Sequence, residues 1–290
     1  MTHVSARRGA LYMSVSAAAW GTGGAAGTLL LDTAHLGPVA VSLWRYLVGA
    51  ALLLAVTRPR LPAGRIEART VLVGLGMAVY QAAYFASIAH SGVALATVVT
   101  MGATTVLTAL GSRFLLRERL GGVALGAMAA AVAGLLLLTG EQALQARTSS
   151  VTGIGYALAS AAGYAGVTLY SRRHKDDDPQ AAAIGGFVVG ALCLAPFALL
   201  EGVVPEVSWT SAALLVYLGA VPTALAYALF FRALRVLPAT TASVISLGEA
   251  VGAAVLGVAL LGERLTPLAW AGCALLLAAV TVLAVRSDAA

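Results

Sequence analysis

Charge is what this sequence has least of. Asp, Glu, Lys and Arg make up 10% of its 290 residues and hydrophobic residues 60%, where an ordinary soluble domain carries roughly 25% charged residues. A water-facing surface cannot be assembled from so few ions, and the mean hydropathy of +0.91 agrees. Cysteine is almost as scarce. Cys193 and Cys273 both lie inside apolar segments, which argues against a disulfide framework. The four histidines (His3, His35, His90 and His174) are scattered without metal-ligand spacing, so neither a metal nor another cofactor is expected. There is no P-loop, no HExxH and no GxSxG. No apolar run offers an aspartate dyad or a serine–histidine pair, so an enzyme embedded in the membrane is the weaker class of reading. The formal charge of +6 could suggest nucleic acid, but the basic residues stand singly or in small groups between apolar runs. No basic domain exists to form a groove, and nucleic acid is not expected as a partner.

What is present is a series of long apolar runs: Ala10–Leu31, Pro38–Thr57, Thr70–His90, Val93–Leu115, Gly121–Thr139, Val151–Tyr170, Gln180–Leu200, Thr210–Phe231, Pro238–Leu261 and Pro267–Val285. Each approaches the roughly 20 residues that a helix needs to cross the hydrocarbon core. Lipid offers no partner to a free backbone group, so the runs are expected to be helices, and they lack the alternation of a membrane β-barrel. The expected fold is an all-α integral membrane protein with ten transmembrane helices. Arg7 and Arg8 followed by Ala17-Ala18-Ala19 imitate a cleavable leader, but this first run has an internal copy later in the chain and is read as a retained helix. With the N-terminus inside, fifteen Lys and Arg residues fall on the cytoplasmic side, Arg147 and Arg264 fall outside, and Arg45 lies within a span. That bias predicts a multi-pass protein of the cytoplasmic (inner) membrane with both termini cytoplasmic.

The chain also repeats itself. Gly9-x-x-Tyr12-x-x-x-Ser16-Ala17-Ala18-x-Trp20 matches Gly153-x-x-Tyr156-x-x-x-Ser160-Ala161-Ala162-x-Tyr164, and Glu118-Arg119-Leu120 matches Glu263-Arg264-Leu265. Between them Tyr84-Phe85 aligns with Phe230-Phe231, Thr100 with Ser246, and Gly102 with Gly248. The repeats are expected to be residues 1–145 and 146–290, with five spans each. Five is odd, so the second copy enters the bilayer from the opposite face. Inverted repeats are a transporter architecture, with the solute site near the midplane where the halves meet.

Two five-helix units, each with a Glu-Arg-Leu turn before its last helix, resemble the drug/metabolite transporter superfamily, and within it the EamA-like permeases. The segments Ser91–Leu138 and Pro238–Leu283 carry that likeness, as does Arg45 in Leu43-Trp44-Arg45-Tyr46. The resemblance implies a secondary transporter of small metabolites working by alternating access, often outward. Amino-acid exporters of the YddG type are among the similar proteins, and a multidrug or other metabolite permease of the same fold is the alternative. The expected partners are a small-molecule substrate and the lipid bilayer, with protons as a candidate coupling ion and either a monomer or a homodimer as the assembly.

Arg45 and Glu249 are the ionisable residues deep inside spans, where a charge costs at least a few kcal/mol and should face a partner or a wet cavity. Functionally, Arg45 would contact a substrate carboxylate and Glu249 would couple protons or contact an amine. Structurally, the two would pair, or Arg45 would be satisfied on carbonyls and helix ends. A second set is expected to line a cavity: Trp20, Tyr80, Gln81, Tyr84, Thr100, Met101, Tyr164, Tyr227 and Ser246. Aromatic faces with a few hydroxyls suit a small amphipathic solute, although hydroxyls also bond within their own helix. The spacings Gly23-x-x-x-Gly27, Gly122-x-x-x-Gly126, Gly186-x-x-x-Gly190 and Gly248-x-x-x-Gly252 read as close helix packing. Pro222 predicts a kink.

The topology has a direct check. Single cysteines at Arg65→Cys and Arg147→Cys should react with an impermeant thiol reagent from opposite faces of the membrane; labelling from the same face would overturn the inverted repeat.

Overall fold

The computed structural model describes residues 5–57, 68–119, 121–145, 151–206, 208–261 and 264–286. Arg65, Leu120, Arg147 and Glu263 therefore lie outside the described residues. Every regular element is helical: α1 (Ala6–Ala34), α2 (Pro38–Thr57), α3 (Ala68–Phe114), α4 (Gly122–Gln145), α5 (Val151–Arg173), α6 (Pro179–Glu201), α7 (Trp209–Gly219), a π-helical turn (Ala220–Leu225), α8 (Ala226–Leu234), α9 (Ala239–Ser246), α10 (Gly248–Leu261) and α11 (Pro267–Arg286).

Local chemistry marks the boundaries. Ser5 caps α1 by accepting from the Arg8 amide, Asp178 caps α6 ahead of Pro179, and Ser208 and Ser211 form a capping box on α7. Each satisfies amides at a helix start that would otherwise lack a partner. The expected third and fourth spans are the two arms of α3. They turn at Gly92, whose φ of 77° belongs to the region open mainly to glycine. The arms fold back on each other: the Tyr84 hydroxyl lies 2.7 Å from Thr97 Oγ1, where thirteen residues of straight helix would span about 20 Å. The expected ninth span runs on without reversal and carries only a 3₁₀-like turn at Leu247 (φ −62°, ψ −17°), which separates α9 from α10.

Eight helical stretches among the described residues are long and apolar enough to cross a membrane. Two of the ten expected runs, Ala10–Leu31 and Val151–Tyr170, form α1 and α5 but are not among the eight. Serines, threonines and glycines dilute both. Their surroundings explain the tolerance: α1 packs on α8 and α10, and α5 on α3, so protein covers faces that lipid would otherwise cover. Ser16 Oγ donates to the Ala226 carbonyl at 2.8 Å, and Ser160 Oγ donates to the Tyr80 carbonyl at 2.8 Å. The two bonds are reciprocal, since the relation that pairs Ser16 with Ser160 also pairs Tyr80 with Ala226.

The remaining helices meet in like pairs, α2 with α6 and α4 with α11. The larger core centres on Tyr46, Phe187 and Phe230, and a smaller one lies between α4, α10 and α11. Outward faces are apolar as well: Leu47, Val106, Leu110, Leu192, Phe197 and Leu277 are all exposed, the surface a protein presents to lipid chains.

The glycine spacings divide. Gly186 and Gly190 face Met77 and Tyr46, and Gly252 meets Gly21. Gly27, Gly122 and Gly126 touch nothing a Cβ would reach, so the packing expected of Gly23-x-x-x-Gly27 is only half made and that of Gly122-x-x-x-Gly126 is not made within this chain. The tightest crossing joins α4 to α11. A Cβ on Gly272 would sit 2.6 Å from the Gly134 carbonyl oxygen and the Leu138 amide.

Gly272→Ala should therefore lower the melting temperature of the detergent-solubilised protein, at a cost of about 1–3 kcal/mol. Gly126→Ala, with open space around it, should leave melting unchanged or raise it slightly.

Candidate functional site

One cavity of about 340 Å³ lies among the helices. α1 supplies Trp20 at mid-helix, and α2 supplies Arg45 one turn after Ser42. The first arm of α3 supplies Tyr80, Gln81 and Tyr84, and the second supplies Thr100, Met101 and Thr104. α5 contributes Tyr164, α8 Tyr227, α9 Ser246 and α10 Glu249. All eleven residues proposed from sequence thus face the same space. The cavity runs from Thr104 and Ser246 in the middle of the bundle to Leu31, Pro38 and Ile88 near one end. For brevity this end is called the Pro38 end, and the opposite one the Glu118 end.

Its walls are largely aromatic. Trp20 lies edge-on to Tyr227 at 5.1 Å between ring centroids and to Tyr164 at 6.3 Å; Tyr164 meets Tyr80 at 5.0 Å, and Tyr80 stacks on Tyr84 at 6.3 Å. Trp20 is 6% exposed and Tyr227 4%, which excludes a membrane-interface belt for these rings. Aromatic faces interacting edge to face hold one another in position and leave an apolar box with few polar points.

Those polar points differ in how they are held. Gln81 Nε2 donates to Ser42 Oγ at 3.0 Å, which in turn donates to the Pro38 carbonyl at 2.9 Å. The Thr100 hydroxyl reaches across to the Ala157 carbonyl at 3.3 Å. Ser246 bonds within its own helix, to the Ser243 carbonyl at 2.7 Å. Its donor is spent, so only its acceptor lone pairs remain for a solute.

Arg45 is anchored by the irregular turn beside it. Pro222 has no N–H, so the Leu218 carbonyl loses its usual partner four residues on, and the helix widens into the π turn Ala220–Leu225 at the position where a kink is expected. Thr223 Oγ1 donates to that freed Leu218 carbonyl at 2.7 Å and accepts from Arg45 Nε at 3.1 Å. Arg45 Nη2 adds a long contact of 3.5 Å to the Pro222 carbonyl. The guanidinium is therefore held on one side by backbone and hydroxyl. Glu249 sits two residues after the Leu247 turn, in the first turn of α10. The two charges line the same cavity but form no ion pair, so the paired reading does not hold.

Several lining residues were not found from sequence. Gly23, Gly24, Gly27, Leu31, Pro38, Val41 and Ser42 also face the cavity. The spacing Gly23-x-x-x-Gly27 predicts a packing surface, yet a Cβ added at Gly24 or Gly27 would enter open space among the described residues. Ser42 could have been noticed, because it lies one helical turn from Arg45 on the same face.

Comparison with known proteins gives concordant results. A family model described as the EamA-like transporter family matches the chain twice, over residues 7–140 and 151–285. The chain is 31% identical to a Bacillus subtilis protein described as "uncharacterized transporter YwfM", over 94% of this chain and 92% of that one. It is 24% identical to the Salmonella typhimurium "uncharacterized inner membrane transporter YicL", over 98% and 97% of the two chains. A solved crystal structure 22% identical superposes with a TM-score of 0.82 over 94% of this chain and 97% of its own; at that identity the likeness is one of fold.

The anchoring of Arg45 can be tested apart from any solute. Thr223→Val removes the hydroxyl that serves both Arg45 and the Leu218 carbonyl and leaves two buried polar groups short of a partner. Melting should fall by the equivalent of about 1–3 kcal/mol, whereas Thr223→Ser should melt like the parent.

Proposed function

We propose that this chain, which belongs to the EamA-like transporter family, carries small amphipathic solutes, amino acids and related compounds above all, outward across the cytoplasmic membrane by alternating access. One observation carries the reading. Arg45 and Glu249, of opposite sign, face a single aromatic-walled cavity without pairing to each other. A zwitterion would set its carboxylate towards Arg45 and its ammonium towards Glu249, bridging two charges that make no direct contact, and its side chain is matched to the box of Trp20, Tyr80, Tyr164 and Tyr227. At about 340 Å³ the cavity falls within the roughly 300–1,000 Å³ of small-molecule sites.

In this reading the halves 1–145 and 146–290 are inverted five-helix repeats, with α1 and α5 crossing the bilayer as the first and sixth of ten spans. Several features support the arrangement: the family model matches once in each half, and the Ser16 and Ser160 bonds are reciprocal. The Glu118 end, which carries Arg113, Arg117, Arg172, Arg173, Arg232 and Arg235, is the cytoplasmic end under the positive-inside rule. Both termini then lie inside. The cavity, which reaches the Pro38 end, faces outward.

Glu249 is assigned the coupling proton. The titratable groups that share its cavity are Arg45, Tyr80, Tyr84, Tyr164 and Tyr227, and Glu249 is the acid among them.

Counterflow of labelled amino acids in proteoliposomes tests the reading. Trp20→Ala, Gln81→Ala, Tyr84→Ala and Tyr164→Ala should each lower flux by about tenfold, the loss of roughly 1.4 kcal/mol of binding, with folded yield retained. Glu249→Gln should keep the protein folded and abolish the pH dependence of flux. Normal flux from all four alanine variants would place the solute elsewhere, and unchanged pH dependence in Glu249→Gln would remove the proton from Glu249.

A further inference from the structure

The cavity stops at Thr104 and Ser246, halfway through the bundle. Beyond them, towards the Glu118 end, lie hydroxyls that have no evident reason to be there. Thr104, Thr108, Thr240 and Ser243 each bury a side-chain oxygen without a hydrogen-bond partner among the described residues. Thr108 is 0% exposed, Thr240 1% and Ser243 3%. Alanine or valine would fill these positions without leaving a buried hydroxyl unsatisfied, a cost of about 1–3 kcal/mol each.

Their positions form a pattern. Thr104, Thr108 and Ser112 recur every fourth residue on α3 and so share one face; Thr240, Ser243 and Ser246 recur every third on α9 and share another. The two helices pack together. Both columns begin at the cavity, which Thr104 and Ser246 line. The α3 column ends on a carboxylate, since Glu118 Oε2 accepts from the Ser112 hydroxyl, and the same oxygen accepts from the Ala239 amide, next to the start of the α9 column, at 3.1 Å. Glu118 Oε1 accepts from Arg172 Nε at 2.8 Å, and Arg172 Nη1 donates to the Leu234 carbonyl at 3.0 Å. A single acid thus ties the end of α3 to the end of α5 and to the turn between α8 and α9.

We infer that the seam between α3 and α9 is the closed second half of the solute path, lined by these hydroxyls and latched by Glu118. This inference rests on the transporter reading above. The unsatisfied hydroxyls are explained as groups that meet water and solute when the seam parts. Its moving side is at hand: α9 has eight residues and joins α10 through a 3₁₀-like turn at Leu247 (φ −62°, ψ −17°), the kind of mid-helix irregularity at which a helix bends. Releasing Glu118 frees the Ala239 end of α9 and opens the path towards the Glu118 end.

The test uses single cysteines at Thr108→Cys and Ser243→Cys in the full chain with Cys193 and Cys273 replaced by alanine. A membrane-impermeant charged methanethiosulfonate is applied to right-side-out and inside-out vesicles. Both positions should react slowly while Glu118 is intact, and about tenfold faster from the Glu118 side once Glu118→Gln shifts the population. Ser112→Ala, which removes one latch bond and no charge, should act in the same direction more weakly and serves if Glu118→Gln does not fold. Val106→Cys and Leu110→Cys, on the outward face of α3, should stay unreactive throughout. Thr108→Cys and Ser243→Cys remaining inert with both latch variants would overturn the inference. Amino-acid flux with an inert seam would sink the path and spare the transporter reading. A reactive seam without flux of any amino acid would do the reverse.

Discussion

In hydrocarbon, a polar group that lacks a partner inside the protein has none to borrow from solvent. The rest of this structure follows from that constraint. It makes every regular element among the described residues a helix, because only a helix pairs its own backbone along its length. It also governs the exceptions. Where Pro222 frees the Leu218 carbonyl, Thr223 takes it up, and the same hydroxyl receives Arg45. Where α1 and α5 carry serines, those hydroxyls reach backbone carbonyls of neighbouring helices.

The cavity is where the constraint is relaxed, and it is relaxed unevenly. Arg45 is anchored on one side by the π turn, while Glu249 faces the cavity without a direct ion-pair contact to Arg45. The geometry resembles a socket with one fixed contact and one contact waiting for charge. Aromatic side chains from α1, α3, α5 and α8 surround that space, so its shape depends on how both halves of the chain sit together. Any motion of one half against the other must alter the cavity, which ties the packing of small residues at Gly21, Gly76 and Gly163 to the function of the site.

Legibility in the sequence followed the same rule. Arg45, Glu249, Gln81 and Trp20 stood out because an apolar run tolerates such residues only for a reason. The structure gathers them, with the other candidates, around one space. Residues that are cheap in lipid were not legible. A glycine serves equally well to let a helix approach or to leave a cavity empty, and Gly23-x-x-x-Gly27 does some of each. Leu31 and Val41 look like any apolar residue facing lipid. Glu118 was visible as a repeated motif, but its bonds to Ser112, Arg172 and Ala239 join segments up to 121 residues apart, and no local spacing announces them.

By itself the sequence determined that this chain lives in a membrane, that it is helical and that it carries two related halves, because composition, run length and internal similarity are properties of the chain alone. Tertiary structure decided the rest. It placed Arg45 and Glu249 on one cavity without direct contact, turned two of the four glycine spacings away from tight packing, and tied the ends of α3, α5 and α9 together at Glu118 while leaving a cavity towards Pro38. These are matters of distance between helices, and distance is set by which surfaces fit together, a quantity that no single stretch of sequence contains.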